Sequence, residues 1–400
     1  MSRLSLLVLL IGFGALLLNS GSRFAIGVLL KPMAEDMSWS RSAVSSAVGL
    51  FMLVTALGLP LVGRMVDRLG ALPILAVGAA LSALGIATTS LVQTPLQATL
   101  TYGLLFALGS ACTSITPVGV MVTTRFPQRT GFANSVAISG MGVGQLLIIA
   151  VLANALDESG WREAFLWLGL CNLLLLPLVA LAAPRVAVTA PTRADPLAGG
   201  EAVRSDRDGA LSWRRLSGRR SLLLFALYGI CGFQDFFVAT HVVAHATDQG
   251  IDNAFAGNLL ATMGLFGLVG VLLTGGLTDR SGPLLPTGLC FALRALLFML
   301  ILLSDSTTAI SVFALLYGAT FWVTAPLTVI FVRQIFGLQG LGTLTGLVTM
   351  VHHVAGGLGA WFGARVFDSS GDYRLAFIVM LVLSLLALLM VLASRQGGQA

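Results

Sequence analysis

Gly63-Arg64-Met65-Val66-Asp67-Arg68-Leu69-Gly70 returns in outline as Gly275-Gly276-Leu277-Thr278-Asp279-Arg280-Ser281-Gly282. Both copies read G-x-x-x-D-R-x-G, and they stand 212 residues apart in a chain of 400. A loop repeated at about half the chain's length predicts two similar halves. Each copy lies between long apolar runs, so it reads as a short link between two membrane helices. Glycine lets helices approach closely, aspartate can meet a helix N-terminus, and arginine marks the cytoplasmic side. The pattern residues Gly63, Asp67, Arg68, Gly70, Gly275, Asp279, Arg280 and Gly282 therefore read as an inner gate and helix clamp, not as substrate ligands.

Composition agrees with that setting. The chain is 56% hydrophobic and 10% charged, with a mean hydropathy of +0.93. Soluble domains carry about 25% charged residues. Apolar stretches near 4–30, 40–62, 72–92, 96–122, 132–154, 163–183, 221–246, 254–276, 284–304, 308–331, 341–364 and 373–393 are each long enough to span a bilayer core of about 30 Å. The expectation is an all-α membrane protein with 12 transmembrane helices. It divides into a six-helix half over 1–183, a polar linker over 184–220 and a second half over 221–400. A short surface helix is expected near Leu211–Leu216. Residues 2–20 mimic a signal peptide, but apolar sequence resumes at Phe24, which favours an uncleaved first helix.

The net charge of +6 does not point to nucleic acid, because the basic residues follow topology. With the N-terminus inside, 16 of the 23 basic residues fall in inner loops, while outer loops hold Asp157, Glu158, Asp248, Asp252, Asp305, Asp368 and Asp372. Both termini are therefore expected to be cytoplasmic. Cys112, Cys171, Cys231 and Cys290 all lie in apolar runs without a C-x-x-C pair, so neither a disulfide nor a metal site is expected. No G-x-x-x-x-G-K-[ST], H-E-x-x-H or G-x-S-x-G motif occurs, which argues against ATP-driven transport and enzyme activity and implies no cofactor. Energy would come from a gradient or from exchange. One lysine (Lys31) against 22 arginines hints at a GC-rich bacterial genome, hence an inner membrane.

The duplicated motif, at this offset and hydropathy, resembles the loops between helices 2 and 3 and between helices 8 and 9 of the major facilitator superfamily. The basic residues that often follow are replaced by Ala71, Leu72 and Pro73. Further stretches look like the monocarboxylate porter and oxalate/formate antiporter branch. They are Gly27-Val28-Leu29-Leu30-Lys31-Pro32-Met33 with Trp39-Ser40-Arg41, then Arg125-Phe126, Arg129, Ala133-Asn134, Ala137, Gly140 and Gly144. Gly232-Phe233 to Thr240-His241, and His352-His353 through Gly359, resemble its bacterial members. The resemblance implies a pseudo-symmetric fold and transport of a small mono- or dicarboxylate by alternating access, with a proton or a counter-anion. Two departures stand out. The eighth apolar segment has no charge before Asp279, where members of the branch carry Asp and Arg. His352 and His353 stand where oxalate-type exchangers carry Lys. A proton-coupled exporter of amphipathic drugs or other small molecules is the alternative. Against it, this chain has no intramembrane arginine in helix 4 and lacks the Gly-Pro pair in helix 5 that is typical of such exporters.

An ionisable side chain at the centre of a membrane helix costs about 2.5–3.5 kcal/mol on insertion scales, so it needs a partner or a job. Arg23 and Asp235 each stand 44 residues before their motif aspartate. In the superfamily, helices 1 and 7 line the central cavity. Arg23 is therefore expected to meet Asp235 and to bind a carboxylate, with Asn19 one turn below, while Asp235 carries the proton. A purely structural ion pair is the competing reading. His352 and His353 point about 100° apart, so one of them faces the cavity as a ligand or both are neutral packing groups. His241 is expected as an outer gate or proton entry, and His245 as interfacial. Arg294, on a peripheral helix, is expected to snorkel or to pair structurally. Gln234 and Trp322 are candidates for a substrate-binding wall, with Tyr102, Asn134, Gln145 and Tyr228 as further wall positions. The expected partners are the small carboxylate, the proton or counter-anion and the lipid bilayer, around a monomer.

Overall fold

The computed structural model describes residues 3–39, 41–182 and 216–396. Residues 184–215 of the expected linker, and with them the surface helix expected near Leu211–Leu216, lie outside the described residues. The described residues form twelve long helices and no strand. They are α1 (Arg3–Asp36), α2 (Arg41–Leu69), α3 (Ala71–Thr89) and α4 (Pro95–Arg125). One run from Thr130 to Leu173 bends at Gly160, where φ is 73° and ψ 169°. It therefore serves as two spans, α5 (Thr130–Leu152) and α6 (Gly160–Ala182). The second series is α7 (Arg219–Asp248), α8 (Asn253–Ser281), α9 (Leu284–Leu303), α10 (Thr307–Phe336), α11 (Leu341–Ser370) and α12 (Arg374–Gln396).

Eleven helices are long and apolar enough to cross a membrane. The exception is α11, whose apolar content is diluted by His352, His353 and the glycines around them. Burial is inverted relative to a water-soluble protein. Leu273 is 70% exposed and Leu303 78%, whereas Arg294 is 0% exposed. Such leucines suit lipid, and the polar groups turn inward because hydrocarbon offers them no hydrogen bonds.

The motif loops fold alike. The Gly70 amide donates to the Val66 carbonyl at 2.8 Å, and the Gly282 amide to the Thr278 carbonyl at 2.8 Å. Both glycines take positive φ, 83° and 75°, a conformation that carries no steric cost without a Cβ. The chain divides into two compact units, one of residues 1–194 and 338–347, the other of 195–337 and 348–400. Packing within each rests on small residues and on aromatic clusters, because lipid tails give helices no hydrophobic drive to associate. In the first unit Phe51, Tyr102 and Phe106 pack together with ring centroids 5.1–5.3 Å apart. In the second, Phe298, Phe313, Tyr317 and Phe377 form the matching cluster.

Candidate functional site

The second unit buries a charged network around Asp235. Tyr228, Cys231 and Asp235 recur at helical spacing and so share one face of α7. Gly232 sits beside them, where a Cβ would overlap the His352 carbonyl. Its absence lets α7 and α11 touch, so the His352 imidazole can reach the carboxylate. Asp235 Oδ1 accepts from Arg294 Nη2 at 2.7 Å and from the Tyr317 hydroxyl at 3.1 Å. Oδ2 accepts from the Cys231 thiol at 3.2 Å and lies 3.4 Å from His352 Nε2.

Arg294 comes from α9 and is held on every side. Its Nε donates to Thr320 Oγ1 at 3.0 Å and Nη2 to the Thr320 carbonyl at 3.2 Å. Nη1 donates to Gln234 Oε1 at 3.4 Å and reaches Cys231 Sγ at 3.6 Å. The guanidinium also lies 4.8 Å from the Tyr317 ring centroid. Asp235 is 3% exposed at its side chain and Arg294 0%, so this pair is closed off. His352, at 19%, is the member that reaches outward. Removing either partner of such a buried pair typically costs about 3–5 kcal/mol, because a bare charge is left behind.

Cys231, Asp235 and His352 offer ligand atoms within 4.8 Å of one another. A guanidinium at 2.7 Å already neutralises that carboxylate, and a divalent ion would have to displace it. The cluster therefore reads as an ion pair with a titratable neighbour.

The structure corrects one expected pairing. The cation bound to Asp235 is Arg294, from the same unit, where the matched 44-residue spacings pointed to Arg23. Arg294 does not snorkel; of its two expected roles, the structural pair is the one it takes. Arg23 lies in the first unit, partly exposed, with its guanidinium 5.6 Å from the Phe24 ring and 6.0 Å from the Phe51 ring. Its Nη2 contacts Met52 Sδ at 3.4 Å, and the Tyr102 hydroxyl donates to its backbone carbonyl at 3.1 Å.

Asn19 is turned into helix packing. Its amide donates to the Ser110 carbonyl at 2.8 Å, Ser110 Oγ at 3.0 Å and Thr113 Oγ1 at 2.8 Å. Gln234 stands behind Arg294 and is tied to the Met380 carbonyl at 2.8 Å and Ser384 Oγ at 2.7 Å. Asn134 donates to Thr123 Oγ1 at 2.8 Å, and Tyr228 to the Thr324 carbonyl at 2.9 Å. Trp322 is partly exposed at the break in α10 and packs edge-on against Phe321.

The histidines separate clearly. His352 joins the network, whereas His353 Nδ1 donates to the Thr349 carbonyl of its own helix at 2.8 Å. His241 Nε2 lies 2.8 Å from the Ala360 carbonyl, which can only accept, so Nε2 carries the proton. Its Nδ1 lies 3.2 Å from the Tyr373 hydroxyl. These two contacts fix the ring's orientation.

The aspartate of the first motif copy makes a clamp. Asp67 accepts from the Gly342 amide at 2.7 Å, the Thr343 amide at 2.8 Å and Thr343 Oγ1 at 2.6 Å. These groups open α11, where a carboxylate satisfies amides that the helix leaves unpaired. Gly63 permits the approach, since a Cβ there would overlap the Gly342 carbonyl. Arg68, Asp279 and Arg280 are exposed.

Sequence reasoning missed Cys231, Tyr317 and Thr320 as members of the network, and Arg294 as the cation at Asp235. Cys231 stands four residues before Asp235, on the same helix face, and that much was readable.

Comparison with known proteins supports the same reading. The family profile described as Major Facilitator Superfamily matches residues 12–360 and 236–397. The MFS-type transporter YcxA of Bacillus subtilis is 25% identical over 390 residues, covering 95% of this chain and 92% of that one. Monocarboxylate transporter 4 of Rattus norvegicus is 28% identical over 363 residues, covering 89% and 75%. Among solved structures, FucP in its outward conformation matches with a TM-score of 0.75 at 14% identity, over 97% of this chain and 99% of that one. The proton:xylose symporter XylE matches with a TM-score of 0.74 at 16% identity, over 97% and 95%. With a profile match that reaches from Gly12 almost to the C-terminus and a helical fold shared with solved transporters, the chain belongs to the Major Facilitator Superfamily, as a multi-pass membrane transporter and not an enzyme.

Proposed function

We propose that this transporter moves a small organic anion, a mono- or dicarboxylate, together with a proton, by alternating access. The observation that carries the reading is the contact of partly exposed His352 with a carboxylate that Arg294 already neutralises. With a neutral imidazole the cluster of Asp235, Arg294 and His352 has no net charge. A proton on His352 makes it +1, in surroundings where an unbalanced charge is costly. A substrate carboxylate at the outward edge of His352 restores the balance. Proton and anion then favour each other's binding, and the linkage is reciprocal, with a typical coupling of about 1–3 kcal/mol.

In this scheme Asp235 stays ionised and orients His352, so it acts on the proton through its neighbour. We assign the anion contact of the first unit to Arg23, whose guanidinium sits over two aromatic rings. The relatives named monocarboxylate transporters support the substrate class, and the proton symporters among the similar folds support the coupling mode. The arginine asymmetry between loops supports cytoplasmic termini, and the single lysine against 22 arginines supports a bacterial inner membrane; we take the acting unit to be a monomer.

Uptake of small carboxylates into proteoliposomes, with and without an imposed pH gradient, tests this. The wild type is expected to accumulate a carboxylate on the gradient. His352→Gln should lose at least about tenfold of that accumulation, one factor of ten being about 1.4 kcal/mol of coupling, while keeping gradient-independent exchange. A His352→Gln protein that accumulates substrate like the wild type overturns the coupling assignment. A wild type that moves no carboxylate overturns the substrate class.

A further inference from the structure

The first unit ties one end of its bundle with a permanent cation. Arg162 Nη1 donates to the Ser90 carbonyl at 2.8 Å and the Val92 carbonyl at 3.2 Å, and Nη2 contacts Met37 Sδ at 3.0 Å. In the second unit the positions 212 residues further on are Leu302 for Ser90, Ser304 for Val92, Gln249 for Met37 and Arg374 for Arg162. Arg374 is exposed. A cavity of about 220 Å³ lies here, with Gln249, Leu302 and Arg374 among its lining residues. His245 also borders it, at the position that Met33 holds in the first unit. A titratable side chain thus replaces an apolar one where the permanent tie is missing.

The His245 side chain is 7% exposed, and its Nε2 has no hydrogen-bond partner among the described residues. Phe377 and Tyr373 pack edge-on against the ring, with centroids 4.9 Å and 6.0 Å away, and hold its direction. Asp305 Oδ1 lies 4.0 Å from Nε2, beyond hydrogen-bond range, on a side chain that is 59% exposed. A buried nitrogen left without a partner is costly, whether it stands as donor or as acceptor. Charged groups border the cavity from each element around it. Asp248 comes from α7 itself, Asp305 from the link between α9 and α10, and Asp372 and Arg374 from the start of α12. The Tyr373 hydroxyl is turned to His241, 3.2 Å away. Asp252, on the link to α8, and Asp368, near the end of α11, are not among the lining residues. Three carboxylates against one guanidinium leave the lining net negative, the sign that complements an imidazolium.

We propose that His245 and Asp305 form an acid-operated latch. In acid the imidazole takes a proton from solvent, Asp305 swings in to accept from Nε2, and the α9–α10 link is tied to the end of α7. The movement is small. A charge-assisted bond of about 2.7–2.9 Å replaces the present 4.0 Å, within reach of an exposed side chain on a short link. When the proton leaves, His245 loses its charge and the tie opens. The first unit carries a fixed arginine in this role, and the second carries a cation that comes and goes with pH. The arginine asymmetry assigns this face to the outside, so the latch reads acidity outside the cell. It uses this end of the second unit alone and is independent of the substrate moved.

Amide hydrogen exchange of the full-length protein in detergent, at about pH 7.5 and about pH 5, tests the latch. Histidine ordinarily changes charge in this interval, while an exposed aspartate stays mostly ionised. Rates are converted to protection factors, which removes the chemical effect of pH. The amides of Ser304, Ala309 and Ile310 are hydrogen-bonded at the link and the first turn of α10. In the wild type their protection should rise at least about fivefold in acid, the low end of a typical coupling between two sites. His245→Met, which copies the first unit, and Asp305→Ala should each abolish the rise. Asp305→Ala alters only an exposed side chain and keeps the test decisive if His245→Met fails to fold. The matching amides of the first unit, Val92 and Ala98, should show no rise. A wild type without the rise, a rise that survives Asp305→Ala, or an equal rise at Val92 and Ala98 would each overturn the proposal.

Discussion

In the first unit Asn172 Nδ2 donates to Ser22 Oγ at 2.9 Å and to the Leu168 carbonyl at 2.8 Å. In the second, Gln234 Nε2 donates to Ser384 Oγ at 2.7 Å and to the Met380 carbonyl at 2.8 Å. Every position in the second set is its counterpart in the first plus 212, yet the amide and the hydroxyl have exchanged helices. The clasp between the first and last helix of each series is thus kept while its chemistry is reversed. Elsewhere on the same frame the content has diverged. Arg23 answers to Asp235, Asn19 to Cys231 and Ser82 to Arg294. Ser82 is buried with its hydroxyl unbonded among the described residues, where Arg294 anchors a network. A duplicated scaffold therefore conserves where helices touch, while the buried charge gathers in one unit. There it can be neutralised locally.

This contrast can be broken most forcefully at the cation. Arg294→Met should cost about 3–5 kcal/mol, because Asp235 keeps a buried charge with no guanidinium to balance it. Ser82→Ala at the matching place should stay within about 0.5 kcal/mol. Thermal unfolding of the purified protein compares the two, and equal losses would mean that the units share the burden. The clasp comes next. Asn172→Ala should cost about 1–2 kcal/mol by leaving Ser22 without its donor. The double variant Ser22→Gln with Asn172→Ser, which copies the polarity of the second unit, should recover most of that loss. Failure to recover would show that the two clasps are not interchangeable. The smallest effect is expected at the motif. Asp67→Asn weakens three bonds to the start of α11 and should cost about 1 kcal/mol.

Much of the architecture was legible residue by residue. The long apolar runs had to become helices because no other open-ended element satisfies its backbone inside lipid. The repeated Gly-x-x-x-Asp-Arg-x-Gly loop announced the duplication, and Gly70 and Gly282 do adopt the same turn. Asp235 was recognisable as a residue that needs a partner. Its partner was misjudged because equal spacing from a motif equates positions and says nothing about contacts. Arg294 could have been favoured on charge neutrality, since it is the other charge deep inside the second half. Asn19 looked like a cavity residue because it shares a face with Arg23. Helix packing turned that face toward Ser110 and Thr113.

A lipid environment and twelve helices in two related series are consequences of composition, period and repeat, which are properties of the chain read locally. Which cation meets Asp235, which histidine joins them and what Asp67 clamps were decided only by tertiary structure. Each of those depends on side chains from separate helices arriving within about 3 Å, the range in which a hydrogen bond or ion pair forms, and no local pattern encodes that distance.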